Sequence, residues 1–429
     1  MDEANKPPRV VGKVGATLMS VNGMIGAGIF ALPALLYSEV GNFAPWLFLI
    51  FGLLFAANTL ICARLSNMFR SSGGAQLWVQ AAFGPLAGFL AGFVIVLAQA
   101  SGRAATLYVL VSYLAVLFPV FAEPAARAGA LAFLLVALTG LTISGMKNSV
   151  GGLAVGTVIK IAPILILCLF AFASGGVASE FALPSFGKVE SVALLVFFAF
   201  SGANVASSTA GELKNPRRDL PITMLASLAL IILFYMMVQW AYIAAGAPQG
   251  GENDTPLAAA AAAVMGPTGA VMLSIAAIFS VGANALTFVL AGSRITYAMA
   301  DRGLLPATLA HVSPRFGTPD RAILFFAALI AIMLASGAFT FLAMVTSLGG
   351  NLVLLGAFAA FVVLMKRGNH RLTVFWLVTL AVAIAFAIFA AMQAPLRGFL
   401  LLGGLLAVGG ALYFITRRNE VTAPHAIFD

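Results

Sequence analysis

Long apolar stretches separated by short polar clusters repeat along the whole chain, each long enough to cross a hydrocarbon core at roughly 20 residues per helix. Read from breakers and charges, spans fall near 12–37, 43–69, 84–118, 125–145, 150–173, 190–212, 220–245, 268–299, 320–338, 340–365, 372–392 and 397–416. The run from Ala322 to Met365 carries no charge over 44 positions, so it is read as two spans joined near Ser336–Gly337. Residues 71–83 form an amphipathic connector, expected as a short interfacial helix. The runs are unbroken rather than alternating, which excludes a membrane β-barrel. The pattern predicts an all-α membrane protein.

Composition agrees. Hydrophobic residues make up 62% of the 429 positions and charged ones 9%, against roughly 25% charged in a soluble domain. Mean hydropathy is +1.06. The net charge of +9 does not point to nucleic acid, because Lys and Arg sit in short clusters between the apolar runs. With both termini cytoplasmic, 18 of the 23 Lys and Arg fall on inner segments and 3 on outer ones (Arg127, Lys188 and Arg397). Arg103 and Lys160 fall within spans. This asymmetry supports about twelve spans with both ends inside. The first dozen residues carry Lys6 and Arg9 but no small-residue cleavage site, so the first helix is expected to be retained. Cys62 and Cys168 both lie in apolar runs and imply no disulfide framework.

Two spans are interrupted in matching places. The first contains Gly23-Met24-Ile25-Gly26-Ala27-Gly28-Ile29-Phe30, with Pro33 a turn later. The sixth contains Phe200-Ser201-Gly202-Ala203-Asn204, then Ser207-Ser208-Thr209 and Gly211. Glycine weakens a helix by about 1 kcal/mol relative to alanine, and freed backbone groups are tolerated at membrane depth only inside protein or around a cavity. Close packing of small residues explains either site alone. Together, in the first and sixth spans, they mark corresponding members of two five-helix halves, the pattern of a transport site at an inverted-repeat interface. Half-helix N-termini offer N–H groups to a carboxylate and C-terminal ends offer carbonyls to an ammonium, as a zwitterionic amino acid requires. The glycines are not a phosphate loop, since no Lys-Ser/Thr follows and no strand precedes.

Four features resemble the amino acid–polyamine–organocation transporters, in pattern nearest the basic amino acid/polyamine antiporter-like bacterial permeases. They are Gly26-Ala27-Gly28-Ile29-Phe30; Ser72-Gly73-Gly74 leading to Phe83-Gly84-Pro85-Leu86 and Gly92; Phe197-Phe198-Ala199-Phe200-Ser201-Gly202 followed by Glu212-Leu213-Lys214-Asn215-Pro216-Arg217-Arg218 and Pro221; and Ser293-Arg294 with Met299-Ala300-Asp301-Arg302-Gly303-Leu304-Leu305-Pro306. The resemblance implies one transport domain with a LeuT-like five-plus-five inverted repeat. The first repeat would be 12–173, the second 190–365, with two added helices at 372–416 and broken helices one and six. It also implies alternating access around a midplane site built from Gly26, Ala27, Gly28, Arg103, Phe198, Ser201, Gly202 and Asn204.

The two charges within spans are functional candidates, because a buried Lys or Arg is costly in a membrane. Some relatives carry a lysine at Lys160, where sodium-coupled cousins of the same fold bind an ion. Its ammonium, with three donors, could bond the free carbonyls of the broken first helix and act as the coupling group. In the arginine/agmatine and lysine/cadaverine exchangers of the family the position of Arg103 is asparagine and that of Asn204 acidic. Both departures remove negative charge or add positive charge. The expected substrates are therefore neutral or acidic amino acids, carried by a secondary transporter or exchanger, with a basic amino acid/polyamine antiporter as the alternative. The anticipated partner of Arg103 is a second substrate carboxylate, backbone carbonyls or an aromatic face, since no Asp or Glu falls mid-span. His311, His370 and His425 lie in loops, and no metal or cofactor is implied. A membrane enzyme would need a polar catalytic constellation and a channel a pore-lining ring; neither stands out. Expected partners are an amino acid, protons, the lipid bilayer and a second copy of the chain.

The topology predicts that, in a background lacking Cys62 and Cys168, an impermeant thiol reagent modifies Asn253→Cys in intact cells and Asn369→Cys only after permeabilisation. The reverse labelling would reject it.

Overall fold

The computed structural model describes residues 13–69, 74–145, 150–175, 182–202, 216–247, 254–336, 339–369 and 371–416. Backbone polar groups in lipid must bond within their own segment, and the apolar runs accordingly fold as helices, with no strand among the described residues. The first predicted span is two helices, α1 (Lys13–Met24) and α2 (Ala27–Val40). At 1.5 Å per residue they measure roughly 18 and 21 Å, so only in series do they reach across a core of roughly 30 Å. After a 3-10 turn comes α3 (Ala44–Ser66), and the predicted connector is α4 (Gly74–Phe83). Then follow α5 (Pro85–Leu117), α6 (Pro124–Ile143), α7 (Val150–Gly175) and α8 (Phe186–Ala199). The chain continues as α9 (Pro216–Ala244), α10 (Pro256–Asp301) and α11 (Asp320–Ser336). It closes with α12 (Phe339–Arg367), α13 (Val374–Met392) and α14 (Leu396–Thr416).

Every predicted span overlaps a described helix, and eight helical stretches are long and apolar enough to cross a membrane by themselves. Two boundaries differ from expectation. The sixth helix begins at Phe186, earlier than 190, and ends at Ala199 in the middle of the predicted span. The eighth begins at Pro256 rather than near 268 and bends at Gly266, whose φ of 69° only glycine adopts readily, just before Pro267. The alanine-rich stretch 256–265 had read as the end of a loop. It is helical because alanine is the strongest helix former.

The long α5 is the centre of the bundle, packed on α4, α10, α11 and α12, while α3 lies against α9 and α13, and α2 against α8. The outer faces are apolar too: Phe133 on α6 is 72% exposed and Ile415 on α14 is 80% exposed. In water such a surface would aggregate; in lipid it is the solvent-facing side.

Side-chain hydrogen bonds tie the helices where apolar contact alone cannot favour one neighbour over lipid. Tyr113 on α5 donates to the Phe30 carbonyl at 2.8 Å and Gln239 on α9 to the Pro33 carbonyl at 3.0 Å, both holding α2. Ser101 bonds the Leu342 carbonyl and Ser347 the Leu194 carbonyl, joining α5 to α12 and α12 to α8. At the surface, Arg367 donates to the Ala81 and Ala82 carbonyls at 2.8 and 3.0 Å, which caps α4. Arg127 pairs with Asp254 at 2.9 Å, and Lys13 with Asp219 at 3.2 Å.

Candidate functional site

Between α1 and α2 the helical ladder is interrupted at Ile25 and Gly26. An α-helix ends with four carbonyls that lack intrahelical partners, and lipid offers them none. Each is met. The Val21 carbonyl accepts from the Ile25 N–H at 3.0 Å. The Lys160 ammonium, from α7, donates to the Asn22 carbonyl at 3.1 Å, to the Asn22 Oδ1 at 2.7 Å and to the Ile25 carbonyl at 2.9 Å. Asn284 Nδ2, from α10, donates to the Gly23 carbonyl at 3.2 Å. The Tyr235 hydroxyl, from α9, bonds the Met24 carbonyl at 2.8 Å. Lys160 is buried, and its contacts are the carbonyl contacts expected of it.

The end of α8 is built the same way. Phe200 N–H bonds the Phe197 carbonyl, and Ser201 turns both its N–H and its hydroxyl back onto the Phe198 carbonyl at 3.1 and 2.7 Å. The Ala199 carbonyl lies 3.3 Å from the same Tyr235 hydroxyl. One phenol therefore touches the C-terminal ends of both α1 and α8. The two segments also meet backbone to backbone. A Cβ on Gly202 would lie 2.9 Å from the Gly23 carbonyl oxygen and from Met24 Cα, and one on Gly28 would lie 3.3 Å from Ala199 Cα.

Beside this contact is a small, partly open cavity. Of the residues expected at a site, Gly26, Ala27, Gly28, Arg103, Phe198, Ser201 and Gly202 all line it. Asn204 lies outside the described residues. Lys160 does not line the cavity; it sits behind the break it bonds. No side chain caps the start of α2, so the first N–H groups of that helix and its positive end face the same space as the Arg103 guanidinium. Phe198 packs edge-on against Phe339 of α12, with ring centroids 5.8 Å apart.

Arg103 has a partner that the sequence did not suggest. Its Nη1 donates to Asn284 Oδ1 at 3.0 Å, a neutral side-chain amide that was not among the partners anticipated. Sequence reasoning also missed Thr106 and Asn284 as lining residues. Asn284 carried a usable signal, a carboxamide in the apolar run Val281-Gly282-Ala283-Asn284-Ala285-Leu286, of the kind that bonds between membrane helices. Tyr235 carried none, because Leu233-Phe234-Tyr235-Met236 reads as ordinary aromatic packing.

Outward apolar faces, stretches long and apolar enough to span, and a cavity where α1, α2 and α8 meet define a multi-pass membrane protein. The family described as amino acid permease matches residues 12–403, and the chain belongs to it, within the amino acid–polyamine–organocation superfamily. It is 28% identical over 348 residues to the serine/threonine exchanger SteT of Bacillus subtilis, covering 77% of this chain and 78% of SteT. It is also 28% identical over 354 residues to the branched-chain amino acid permease BcaP of the same organism, covering 76% and 74%. Cationic amino acid transporter 3, mitochondrial, of Arabidopsis thaliana is 27% identical over 329 residues, covering 70% of this chain and 53% of that protein.

Replacing the shared phenol tests the tie between the two breaks. Tyr235→Phe leaves the Met24 carbonyl without its donor, a loss of about 1–3 kcal/mol for a buried group. The apparent melting temperature in detergent should fall. An unchanged melting temperature would mean that the hydroxyl holds nothing.

Proposed function

We propose that this chain is a secondary active transporter or exchanger of neutral amino acids that works by alternating access. In this reading it crosses the bacterial inner membrane twelve times, with both termini in the cytoplasm. The observation that carries the reading is one cavity holding the start of α2 and Arg103 with no Asp or Glu among its described lining residues. A substrate α-carboxylate is bound by the N–H groups at Ala27 and Gly28, where helix geometry leaves donors free. The α-ammonium turns to the backbone carbonyls beyond the end of α8, near Ser201 and Gly202. The side chain packs against Phe198. A cationic side chain would meet Arg103, which is always charged, with nothing described at the cavity wall to offset it. Two of the relatives are named for serine/threonine and for branched-chain amino acids, substrates with uncharged side chains, and both align over most of their length.

Lys160 is the coupling group. Its three bonds at Asn22 and Ile25 require a protonated amine that donates three ways. Losing the proton removes one donor and the charge that favours the carbonyl-rich end of α1. The proton is thereby linked to the position of the break.

Two measurements test these assignments. In competition binding, the wild type should recognise neutral amino acids and bind arginine, lysine and agmatine at least tenfold more weakly, while Arg103→Asn should narrow that gap. Tight arginine binding by the wild type would sink the charge-selection reading, and loss of glutamate binding alone in Arg103→Asn would favour acidic substrates. In proteoliposomes, Lys160→Ala should insert normally yet lose or uncouple transport. Full transport with an unchanged pH profile would leave Lys160 as scaffolding.

A further inference from the structure

The cavity walls differ in how far they can give way. Where α1, α2 and α8 meet, backbone lies against backbone: a Cβ on Gly202 would be 2.9 Å from the Gly23 carbonyl oxygen, and one on Gly28 would be 3.3 Å from Ala199 Cα. That side cannot widen without parting α8 from α1 and α2. Phe198 supplies the one aromatic ring among the described lining residues and is 7% exposed. Its backbone is held, because Ser201 turns its N–H and its hydroxyl onto the Phe198 carbonyl at 3.1 and 2.7 Å. The ring can therefore yield only by rotating about its side-chain torsions.

Phe339 stands against that rotation. It is the first residue of α12, partly buried and outside the cavity lining. Its ring meets Phe198 at 5.8 Å between centroids and 82° between planes, the edge-to-face arrangement that aromatic pairs favour. Phe339 is itself placed through α5. Positions 339, 342 and 346 recur on one face of α12 at helical spacing. The Leu342 carbonyl accepts from the Ser101 hydroxyl at 2.8 Å, and a Cβ on Gly102 would lie 3.2 Å from Thr346 Cγ2. Ser101 and Gly102 immediately precede Arg103, which lines the cavity with Thr106. The ring of Phe198 is thus backed by α12 from a position set by α5, the helix that forms another wall of the same cavity.

We propose that Phe339 is a positioning residue that sets the upper size of the substrate side chain. By holding the Phe198 ring over a cavity whose facing segments are in backbone contact, it confines the site to small neutral amino acids, such as alanine and serine, and excludes leucine and phenylalanine. This rests on the reading of the cavity as the substrate site. It adds that the size limit is imposed from outside the cavity, by a side chain that the substrate does not touch. An apolar wall that is held in place penalises every carbon added beyond the space it leaves, whereas one free to recede admits the larger group at little cost.

The experiment titrates L-alanine, L-serine, L-leucine and L-phenylalanine separately against purified full-length protein and reads apparent affinity from thermal stabilisation. The wild type should bind alanine and serine about tenfold or more tightly than leucine, the scale on which an apolar pocket discriminates by size. In Phe339→Ala the leucine-to-alanine ratio should shift at least about fivefold towards leucine, while Phe339→Tyr, which keeps a ring against Phe198, should retain the wild-type ratio. A general loss of structure would weaken all four ligands together and leave the ratio where it was. Leucine bound as tightly as alanine by the wild type, an unchanged ratio in Phe339→Ala, or an equal shift in Phe339→Tyr overturns the proposal. If Phe339→Ala fails to fold, Phe339→Val removes the ring while keeping an apolar side chain, and it is judged on the same ratio. A wild type stabilised by none of the four amino acids refutes the substrate reading itself, and the size limit with it, whereas failure of the ratio test alone leaves that reading standing.

Discussion

A helix broken inside a membrane leaves carbonyls that lipid cannot satisfy, and the arrangement around α1 follows from that demand. Each buried polar group left unmet costs about 1–3 kcal/mol, so the end of α1 unmet would cost a large part of the 5–15 kcal/mol by which a typical protein is stable. Three helices supply the donors: α7 through Lys160, α10 through Asn284 and α9 through Tyr235. The break is thus the point on which those helices are registered. Tyr235 extends the same accounting to α8, where the Ala199 carbonyl shares its hydroxyl.

The same geometry sorts charge. C-terminal helix ends are partly negative and N-terminal ends partly positive. Lys160 occupies the negative end of α1, where a cation is favoured, and sits behind the cavity. Arg103 instead lines the cavity together with Ala27 and Gly28 at the start of α2 and bonds Asn284. The close approaches at Gly28 and Gly202 keep these parts together, since any side chain there would press on the backbone of the facing segment.

In the proposed function, motion and binding share residues. Displacing α1 strains bonds to Lys160, Asn284 and Tyr235, and Asn284 also holds Arg103. In the proposed function, an amino acid that engages Arg103 or the start of α2 acts on the contacts that hold α1, a physical route from occupancy to conformational change without a separate relay.

Much of this was legible in the chain. Apolar run length alone determined the all-helical membrane class, because lipid leaves the backbone no other economical structure. The glycines at 23, 26 and 28 located the break between α1 and α2, the Ser201-Gly202 pair falls just past the end of α8, and Lys160 and Arg103 stood out because an ion is costly in an apolar span. Those signals are local, written in residue type and depth. The halt of α8 at Ala199, the helix at 256–265, the Arg103–Asn284 bond and the phenol of Tyr235 between two broken ends were not written there. Arg103 and Asn284 are 181 residues apart, and Tyr235 is 211 from Met24. Which side chain meets which carbonyl depends on how the helices rotate and cross once packed, and that is decided by the tertiary structure, because a buried polar group is satisfied by whatever donor the fold brings within 3 Å.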